Sequence, residues 1–507
     1  MVAAAHPLAT QAGYGVLARG GSAVDAAIAV QLVLGLVEPE SSGIGGGAFL
    51  LHWSEREQRL RSYDGRETAP AAARPDRFLR GNKPMAFHAA VVGGRSVGVP
   101  GVMRMLELAY ARHGRLPWAE LFRPAIEAAE QGFALSPRLH ALLTDEKYLR
   151  DEPRALAIYY GKAVGERIVN PEYAATLKAL AARGAGALYE GEIAADMVRA
   201  VRSHAKAGDL TAADVAAYRA IEREPVCAPY RVWRVCSMGP PSSGGVGVLQ
   251  ILGILERTRF AAAPPQSAQA LHFFSEAGRL AYADRGRYLG DPGFVAVPVE
   301  RLLSPPYLGK RAASIGERSM RRALPGDMES GTSHFSIVEA SGDAVAMTTT
   351  IESGFGSRIM VRGFLLNNEL TDFDFVPGSA NEVGPGKRPR SSMAPTMVFD
   401  AQGRLQLLVG SPGGSAIINY VAKALVGVLD WKLDIQKAIE LPNFGSRNGP
   451  TELESGSRYE GLAPALAERG HDVRPMPLES GLHGIERVPG GWRGGADPRR
   501  EGVAQGN

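Results

Sequence analysis

Cysteine is nearly absent from this chain, whose 507 residues include two, Cys227 and Cys236. A single pair is neither the disulfide framework of a small secreted domain nor the ligand set of a structural zinc site. The two residues flank a strand-like stretch, residues 228–235, and we expect them to be half-buried thiols. Hydrophobic residues make up 45% of the chain, so a large core can form without a disulfide or a metal.

Long uncharged runs and a strong charge imbalance are also missing. The nearest candidate for a membrane helix, residues 26–37, is bracketed by Asp25 and Glu38 and is shorter than the roughly 20 residues that such a helix needs. The formal net charge is +4, which is too small to indicate nucleic acid or an anionic membrane as a partner. No signal peptide is visible, which predicts either a cytoplasmic protein or export directed by a segment upstream.

Several common catalytic motifs are absent. The sequence has no His-Glu-x-x-His pair and no phosphate-binding Gly-x-x-x-x-Gly-Lys-Ser/Thr loop. Its ten histidines are scattered, so we expect no metal site. The glycine loop at residues 43–47 superficially resembles a dinucleotide fingerprint, but it precedes its strand instead of following one and opening a helix. That order argues against nucleotide binding.

The hydrophobic pattern changes near residue 332. Before it, the pattern predicts a buried helix at residues 25–37, a strand at 48–53, a helix at 246–256 and amphipathic surface helices at 102–113, 121–131, 172–182 and 269–288. After it, strand patterns dominate at residues 334–338, 344–351, 360–366, 396–400 and 405–409, followed by a helix at 415–428. No low-complexity linker separates the halves, which favours two pieces of one compact fold.

A threonine that follows a glycine at the head of a predicted strand, Gly331-Thr332, suggests self-cleavage. The Thr332 hydroxyl can attack the Gly331 carbonyl, and water then frees a new α-amino group. An α-amino group has a pKa near about 8, so it can act as the general base for its own hydroxyl without a histidine. Taken alone, these letters fit an ordinary strand-leading threonine after a turn glycine better.

Short motifs elsewhere change that balance, because they recur in one order along nearly the whole chain. They are HPLAT (6–10), GGSAVDAA (20–27), SSGIGGG (41–47), RETAP (66–70), PSSGG (241–245), YLGDP (288–292), NNE (367–369), KRPRSSM (387–393), GSPGGS (410–415) and ADPR (496–499). Each motif by itself is modest, and their shared order is specific. In this set the chain resembles the γ-glutamyltransferase (γ-glutamyl transpeptidase, glutathione hydrolase) family.

The resemblance implies an α+β fold, a four-layer α-β-β-α sandwich of the N-terminal-nucleophile hydrolase type. Residues 1–331 would form the large, mostly helical subunit portion, and residues 332–507 the small portion that begins with the nucleophile. Cleavage between Gly331 and Thr332 would leave the two portions paired as a heterodimer. The resemblance implies no cofactor and no metal.

The resemblance also assigns catalytic roles. Thr332 would be the nucleophile, and the hydroxyl of Thr350 would support the free amino terminus. Gly413 and Gly414 would form the oxyanion hole, since paired glycines before a helix can present backbone N–H groups with no side chain in the way. The same pair also fits an ordinary helix-start turn, which is compatible with that role.

A second group of residues would hold the amino-acid head of the substrate. Arg66 matches the arginine that clamps the α-carboxylate, a task that suits its planar fork. Ser391 and Ser392 match the serine pair that binds the same carboxylate, and Asp372 matches the partner of the α-ammonium. An alternative for Arg66 is a surface salt bridge with Glu67.

The sequence departs from the family mainly on this substrate side. Glu352 stands where well-known members have a substrate-binding asparagine, and an ionised glutamate cannot donate to a carboxylate. Glu369 stands where the family carries Gln or Glu, and Thr371 replaces the first of two aspartates. The stretch between Asp372 and Lys387 is shorter than in members with a lid loop, which predicts an open site.

The predicted activity is that of a γ-glutamyl hydrolase or transferase acting on glutathione or another γ-glutamyl amide. The acceptor would be water, an amino acid or a peptide. One alternative is an acylase of the same mechanism for cephalosporin, glutaryl or poly-γ-glutamate substrates, and a remote one is a binding protein that never matures. Members of the family are usually exported, so a periplasmic or secreted location stands beside the cytoplasmic one.

Overall fold

Two antiparallel β-sheets form the centre of the molecule in the computed structural model, which describes residues 1–320, 322 and 331–506. The first sheet has seven strands, in the spatial order Val503–Gln505, Val2–Ala4, Gly331–Val338, Ala344–Glu352, Gly47–Ser54, Arg59–Gly65 and Ile221–Arg223. The second has six, in the order Gly491–Ala496, His483–Val488, Leu405–Gly410, Thr396–Phe399, Trp233–Ser237 and Val226–Tyr230. Both sheets therefore contain strands from before and from after residue 331.

The two sheets pack face to face, and side-chain alternation along the strands builds a core on each side of each sheet. In the strand Ala344–Glu352, Val345 and Met347 point into a core shared with helices. Ala344 and Ala346 point the other way, into a core shared with Met397 and other residues of the second sheet. The small alanines let the two sheets approach closely.

Helices cover the outer face of each sheet, which completes the predicted α-β-β-α sandwich. Those in the core of the first sheet are Pro7–Ala18, Ala23–Val37, Val102–His113, Arg123–Gln131, Pro137–Asp145, Pro153–Tyr159, Pro171–Arg183, Gly186–Tyr189, Glu192–Ser203 and Ala212–Ala217. Those in the core of the second are Gly244–Glu256, Ala268–Tyr288, Pro305–Ala313, Ile417–Leu429, Ile435–Glu440 and Ala463–Glu468. Among the described residues, no helix combines the length and apolarity that crossing a membrane requires.

The helix Ala23–Val37 shows how local sequence fixes an element. Ser22 and Asp25 form a reciprocal capping box, in which the Asp25 amide donates to the Ser22 hydroxyl at 3.0 Å and the Ser22 amide donates to the Asp25 carboxylate at 2.9 Å. All but one of the helix's residues are buried, so the predicted buried helix is confirmed. The capped start and the Glu38-Pro39 end fix the position of the glycine loop that follows.

Most predicted elements are confirmed, and three differ in kind. The run at residues 360–366 is two short strands, Met360–Val361 and Phe364–Leu365, because Arg362 and Gly363 turn the chain with positive φ. The helix predicted at residues 121–131 is preceded by a 3-10 turn and begins at Arg123. The helix Ala268–Tyr288 was expected on the surface and is mostly buried, because Glu276 and Arg279 neutralise each other at 2.9 Å.

The expectation of two free thiols is wrong, because Cys227 and Cys236 form a disulfide. Residues 228–235 are not one strand. The strands Val226–Tyr230 and Trp233–Ser237 form a hairpin, and Arg231 turns the chain with a φ of 55°. That turn places Cys227 directly opposite Cys236, with 4.0 Å between their Cα atoms. Hydrophobic alternation alone did not reveal the turn.

Two of the scattered histidines meet in the fold. His272, Glu276 and His471 place ligand-type atoms within 4.8 Å of one another. Their imidazole nitrogens are used in a hydrogen-bonded chain that runs from the Gly316 carbonyl through both rings to Thr451. The geometry therefore fits a hydrogen-bonded core network that fastens residues 316–320 to the second half of the chain.

Candidate active site

A cleft at the ends of the sheet strands contains eight of the ten residues to which the resemblance gave catalytic or binding roles. It lies where the strand Gly331–Val338 begins and its neighbour, the strand Ala344–Glu352, ends. The cleft is lined by Arg66, Arg285, Thr332, Thr350, Glu369, Asp372, Phe373, Asp374, Arg390, Ser391, Ser392, Met393, Gly414, Ser415 and Ile417. Glu352 and Gly413 lie immediately beside lining residues.

Thr332 lies at an irregular point of the first sheet. Gly331 pairs with Glu352, whereas Ser333 pairs with Thr349, so the register shifts at Thr332. The Thr332 hydroxyl lies 3.4 Å from the Thr350 hydroxyl, and the Glu352 amide donates to the Thr350 oxygen at 2.7 Å. The bulge therefore turns both hydroxyls toward the cleft.

The glycine loop at residues 43–47 packs against the strand that carries Thr350. A Cβ atom on Gly46 would lie 2.0 Å from the Thr350 carbonyl oxygen, so no larger residue fits without moving the strand. The loop that superficially resembled a nucleotide site is thus explained by close packing against the strand that carries Thr350.

Charged groups fix the backbone around Thr332 from the side away from the cleft. Arg500 donates to the Thr332 carbonyl at 3.1 Å, and the Ser333 hydroxyl donates to Glu38 at 2.7 Å. Both contacts join segments more than 160 residues apart. The resemblance did not single out Arg500, although this residue directly follows the motif ADPR.

The glycine pair occupies the turn between the strand Leu405–Gly410 and the helix Ile417–Leu429. Gly413 has a φ of 128°, and a Cβ atom there would meet the Tyr420 ring at 2.5 Å. Gly414 lines the cleft. The turn thus brings backbone without a side chain to the cleft that Thr332 lines, which is compatible with the predicted oxyanion hole.

Arg66 is buried among hydrogen-bond acceptors and is not a surface residue. Its guanidinium contacts Glu369, reaches Asp372 at 2.5 Å and donates to the Pro389 carbonyl at 3.0 Å. Glu67, the alternative partner, is at 4.0 Å. Burial by itself lowers the pKa of Arg66, but these carboxylates outweigh burial and raise it above its usual value. Arg66 is therefore a permanent cation already held by acidic side chains.

The carboxylates around Arg66 are crowded. Burial, with a further contribution from Asp372, raises the pKa of Glu369 to about 7 although Arg66 opposes the shift. Burial and then Glu369 raise the pKa of Glu67 well above its ordinary value. Glu352 is affected in the same way, by burial first and then by Asp372 and Glu369. The site thus favours protons or cations among these acids near neutral pH.

Glu352 is held beside the cleft and does not line it. Its carboxylate accepts from Asn368 at 2.7 Å and from the Ser353 hydroxyl. Its φ of 78° is unusual for a residue other than glycine. Glu352, where well-known family members have asparagine, lies at the end of the strand that carries Thr350. It therefore adds a further carboxyl group near Asp372 and Glu369.

The serine pair is braced by the loop before the helix Gly244–Glu256. The Ser243 amide and hydroxyl both donate to the Ser391 carbonyl, at 2.8 Å and 2.5 Å. Ser392 accepts from Arg285 at 2.9 Å. The motifs PSSGG and KRPRSSM, distant in sequence, thus form one wall of the cleft.

Sequence reasoning missed several lining residues, most notably the arginines Arg285 and Arg390. Arg390 pairs with Asp374 at 3.1 Å. Arg285 lies in the last turn of the helix Ala268–Tyr288, directly before the motif YLGDP. That adjacency was a usable signal, because a residue one turn from a family motif lies close to whatever the motif holds.

Together these features define a class of protein. An α-β-β-α sandwich with a threonine on a central strand, a second hydroxyl beside it and a glycine turn facing it is the arrangement of an N-terminal-nucleophile hydrolase. More narrowly, the chain belongs to the γ-glutamyltranspeptidase family, whose model matches residues 9–507. It is an enzyme of that family.

Individual relatives agree with this assignment. The chain is 36% identical to a glutathione hydrolase proenzyme of Bacillus subtilis (strain 168), over 100% of this chain and 91% of that one. It is also 36% identical to an acylase ACY 1 proenzyme of Pseudomonas sp. (strain SE83), over 98% and 91% of the two chains. The crystal structure of cephalosporin acylase from Bacillus halodurans matches with a TM-score of 0.89 and 28% identity, covering 100% and 96%.

Proposed function

We propose that this enzyme hydrolyses γ-glutamyl amides such as glutathione, or transfers their γ-glutamyl group, through an ester on Thr332. The observation that carries the proposal is the single cleft in which the Thr332 and Thr350 hydroxyls lie beside both cationic and anionic side chains. A zwitterionic amino-acid head needs both kinds of partner.

The proposed active form arises when the bond between Gly331 and Thr332 is cut. Residues 1–331 and 332–507 then stay together, since the strand Gly331–Val338 lies between Val2–Ala4 and Ala344–Glu352 in one sheet. The new α-amino group of Thr332 serves as the general base for its own hydroxyl. Thr350 is placed to orient that amine and the hydroxyl.

The proposed reaction has two halves. The Thr332 oxygen attacks the γ-carbonyl carbon while the α-amine takes the hydroxyl proton, and the N–H groups of Gly413 and Gly414 stabilise the oxyanion. The C–N bond then breaks, and the leaving nitrogen takes that proton. In the second half, water or an acceptor amine gives a proton to the α-amine and attacks the ester carbonyl. The C–O bond breaks, and the Thr332 oxygen regains its proton.

Hydrolysis of γ-glutamyl-p-nitroanilide by the matured protein tests the proposed function. Release of p-nitroaniline, together with a denaturing gel that shows fragments of 331 and 176 residues, is the expected result. A matured protein that releases no p-nitroaniline would contradict the γ-glutamyl assignment.

An acylase for another side chain is the second candidate. It is favoured by one observation, which is that Arg66 is already paired with Glu369 and Asp372. The similarity of the chain to an acylase proenzyme and to a cephalosporin acylase structure supports the same candidate. Glutaryl-p-nitroanilide, which lacks the α-amino group, separates the candidates: turnover of the glutaryl compound without turnover of the γ-glutamyl compound would favour the acylase.

A further inference from the structure

The turn that carries the glycine pair is not fixed by its own residues. Gly413 and Gly414 have φ values of 128° and 56°, in a region that glycine enters and leaves without a steric cost. The 3-10 turn and the helix that follow begin after Gly413 and Ala416, whose side chains cannot accept a capping hydrogen bond. The N–H groups of an oxyanion hole must nevertheless stay in place while charge develops on the substrate. Contacts from other elements therefore have to hold this turn.

Two side chains from other elements contact Ser415, which directly follows the glycine pair and lines the cleft. The Tyr282 hydroxyl donates to the Ser415 carbonyl. The Arg447 guanidinium donates to the Ser415 hydroxyl oxygen at 3.0 Å. Arg447 lies between the short paired strands Phe444–Gly445 and Thr451–Glu454, so the turn is tied to a hairpin loop 32 residues further along the chain.

Glu452 fixes the orientation of the Arg447 guanidinium. Its carboxylate accepts from Nε of Arg447 at 3.1 Å and from one terminal nitrogen at 2.7 Å, which is the two-point pairing that the planar fork of arginine favours. The other terminal nitrogen is the one that reaches Ser415. Burial by itself lowers the pKa of Arg447, but Glu452 and two nearby tyrosines outweigh burial and raise the pKa above its usual value. Arg447 is therefore a permanent cation in one fixed orientation.

The contact with Ser415 is more than the ion pair itself requires. Glu452 already neutralises Arg447, and only 18% of the arginine side chain and 11% of the glutamate side chain are exposed. A largely buried ion pair costs desolvation that apolar residues of the same volume would avoid. A role in holding the turn gives a physical reason for charged residues at this position.

We propose that Arg447 is a positioning residue for acyl transfer. Acting through the Ser415 hydroxyl, it holds the N–H groups of Gly413 and Gly414 in the orientation that stabilises the oxyanion. The proposal rests on the proposed function and deepens it. Of the two contacting residues, Ser415 lines the cleft and Arg447 does not. Loss of Arg447 should therefore slow the chemical step and leave substrate binding nearly unchanged.

Steady-state kinetics on γ-glutamyl-p-nitroanilide with the matured enzyme test the proposal. Arg447→Met removes the donors and keeps most of the length of the side chain. We expect its kcat to fall roughly 10- to 30-fold, because outright loss of an oxyanion donor costs about 100- to 1,000-fold and displacement of one costs less. KM should change by less than about threefold, since the head group of the substrate is held elsewhere in the cleft.

A double-mutant cycle shows whether Arg447 acts through Ser415. Ser415→Ala removes the hydroxyl that Arg447 contacts, so its kcat should fall by a similar factor. The variant that carries both changes should be at most about twofold slower than the slower single variant, because the two changes break one contact. Independent effects would instead multiply to roughly 100-fold or more.

An inhibitor that resembles the tetrahedral intermediate gives a second readout. A glutamate analogue with a boronic acid in place of the γ-carboxyl group can form a B–O bond with the Thr332 hydroxyl, whose proton passes to the α-amine. The resulting boronate is tetrahedral and negatively charged, like the oxyanion. Its inhibition constant should rise in Arg447→Met by about the factor by which kcat falls. A change in stability alone would not produce this match.

Two further variants serve as controls. Arg447→Lys keeps the charge but cannot pair with Glu452 at two points and reach Ser415 at the same time, so it should recover only part of the lost kcat. Arg474→Met removes an arginine whose side chain is 66% exposed, on the strand Val473–Met476 of the same small sheet, and should leave kcat and KM unchanged. Thermal melting and the two-band gel establish that each variant is folded and cut.

The possible outcomes separate this proposal from the proposed function. A folded, matured Arg447→Met that keeps its kcat, or that changes only KM, would overturn the proposal, and so would multiplied losses in the double variant. If Arg447→Met is not folded or not cut, Ser415→Ala and Arg447→Lys replace it, and an unchanged kcat in both would overturn the proposal. A wild-type enzyme that turns over no γ-glutamyl-p-nitroanilide refutes the proposed function. The same comparison is then made on glutaryl-p-nitroanilide, whose hydrolysis also passes through an oxyanion.

Discussion

The two ends of the cleft are built differently. The end around Thr332 consists of hydroxyls and backbone: Thr350 at 3.4 Å, the glycine turn at Gly413, and a register shift in the sheet. The opposite end holds three arginines and three carboxylates within one lining. The first end matches the family at every position that the motifs assign, whereas the second contains the departures Glu352 and Thr371.

The difference between the two ends indicates that substrate preference can change in such an enzyme more easily than the chemistry of acyl transfer. Attack by a hydroxyl on an acyl carbon needs one fixed geometry, so the nucleophile end tolerates little variation. A head group can be held by several arrangements of opposite charges, provided each buried charge finds a partner. We therefore expect the chemistry to depend on one end of the cleft and the substrate preference on the other, so variants at the two ends should lose activity in different ways.

The largest effect is expected at the nucleophile end. Thr332→Ala removes the attacking oxygen for both maturation and catalysis, so the chain should stay as one uncut band. Its kcat on every anilide should fall by at least about 10⁴-fold. Thr332→Ser, which keeps the hydroxyl, should still be cut and active. A cut and active Thr332→Ala would place the nucleophile elsewhere.

A smaller loss is expected when the neighbouring hydroxyl is removed with its shape kept. Thr350→Val should lower kcat about 100-fold on γ-glutamyl, glutaryl and 4-aminobutyryl anilides alike, because the Thr350 hydroxyl is proposed to support proton transfer and not to contact the head group. Thr349→Val is the matched control, since Thr349 is buried on the same strand and contacts Gly47. If the loss in Thr350→Val depended on the substrate, Thr350 would take part in binding the head group, which would contradict the proposed division between the two ends of the cleft.

At the head-group end, losses should depend on the substrate. Asp372→Asn removes the anion proposed for the α-ammonium, so kcat/KM should fall roughly 30-fold on γ-glutamyl and 4-aminobutyryl anilides. The glutaryl anilide, which has no amine, should lose less than about fivefold. An equal loss on all of these anilides in a folded, matured Asp372→Asn would contradict the assignment of Asp372 to the α-ammonium.

The smallest effect is a change in how stability depends on pH. The pKa of Glu369 is about 7 in the folded protein, above its ordinary 4.5, so its contribution to stability is complete below about 4.5 and is lost as the pH rises through 7. Glu369→Gln cannot ionise. The Tm of this variant relative to wild type should therefore rise between pH 5 and pH 8, by on the order of 2 °C.

Calorimetry at four pH values measures this shift, and the exposed Glu300→Gln is the control. A pH-independent difference for Glu369→Gln would mean that Glu369 is ionised throughout, and that the crowded acids around Arg66 do not share protons.

Much of the fold follows from local sequence. The capping residues Ser22 and Asp25 start the buried helix where the pattern predicted it, and the helix Val102–His113 has the predicted bounds. Two stretches that were predicted as single strands are interrupted by turns in which an arginine takes part. Arg231 adopts a positive φ between the two cysteines, and Arg362 does so between two short strands. Sequence periodicity does not report such turns.

The sequence by itself predicts the site's chemistry. The order of motifs assigns roles to Thr332, Thr350 and the glycine pair, because these roles depend on residue type and on backbone that only glycine allows. Tertiary structure decided the charge pairing. That Arg66 is neutralised by Glu369 and Asp372 while Arg285 faces only hydroxyls cannot be read from the chain, since these contacts join residues up to 306 positions apart. Electrostatic pairing depends on distances in space, and only the fold sets them.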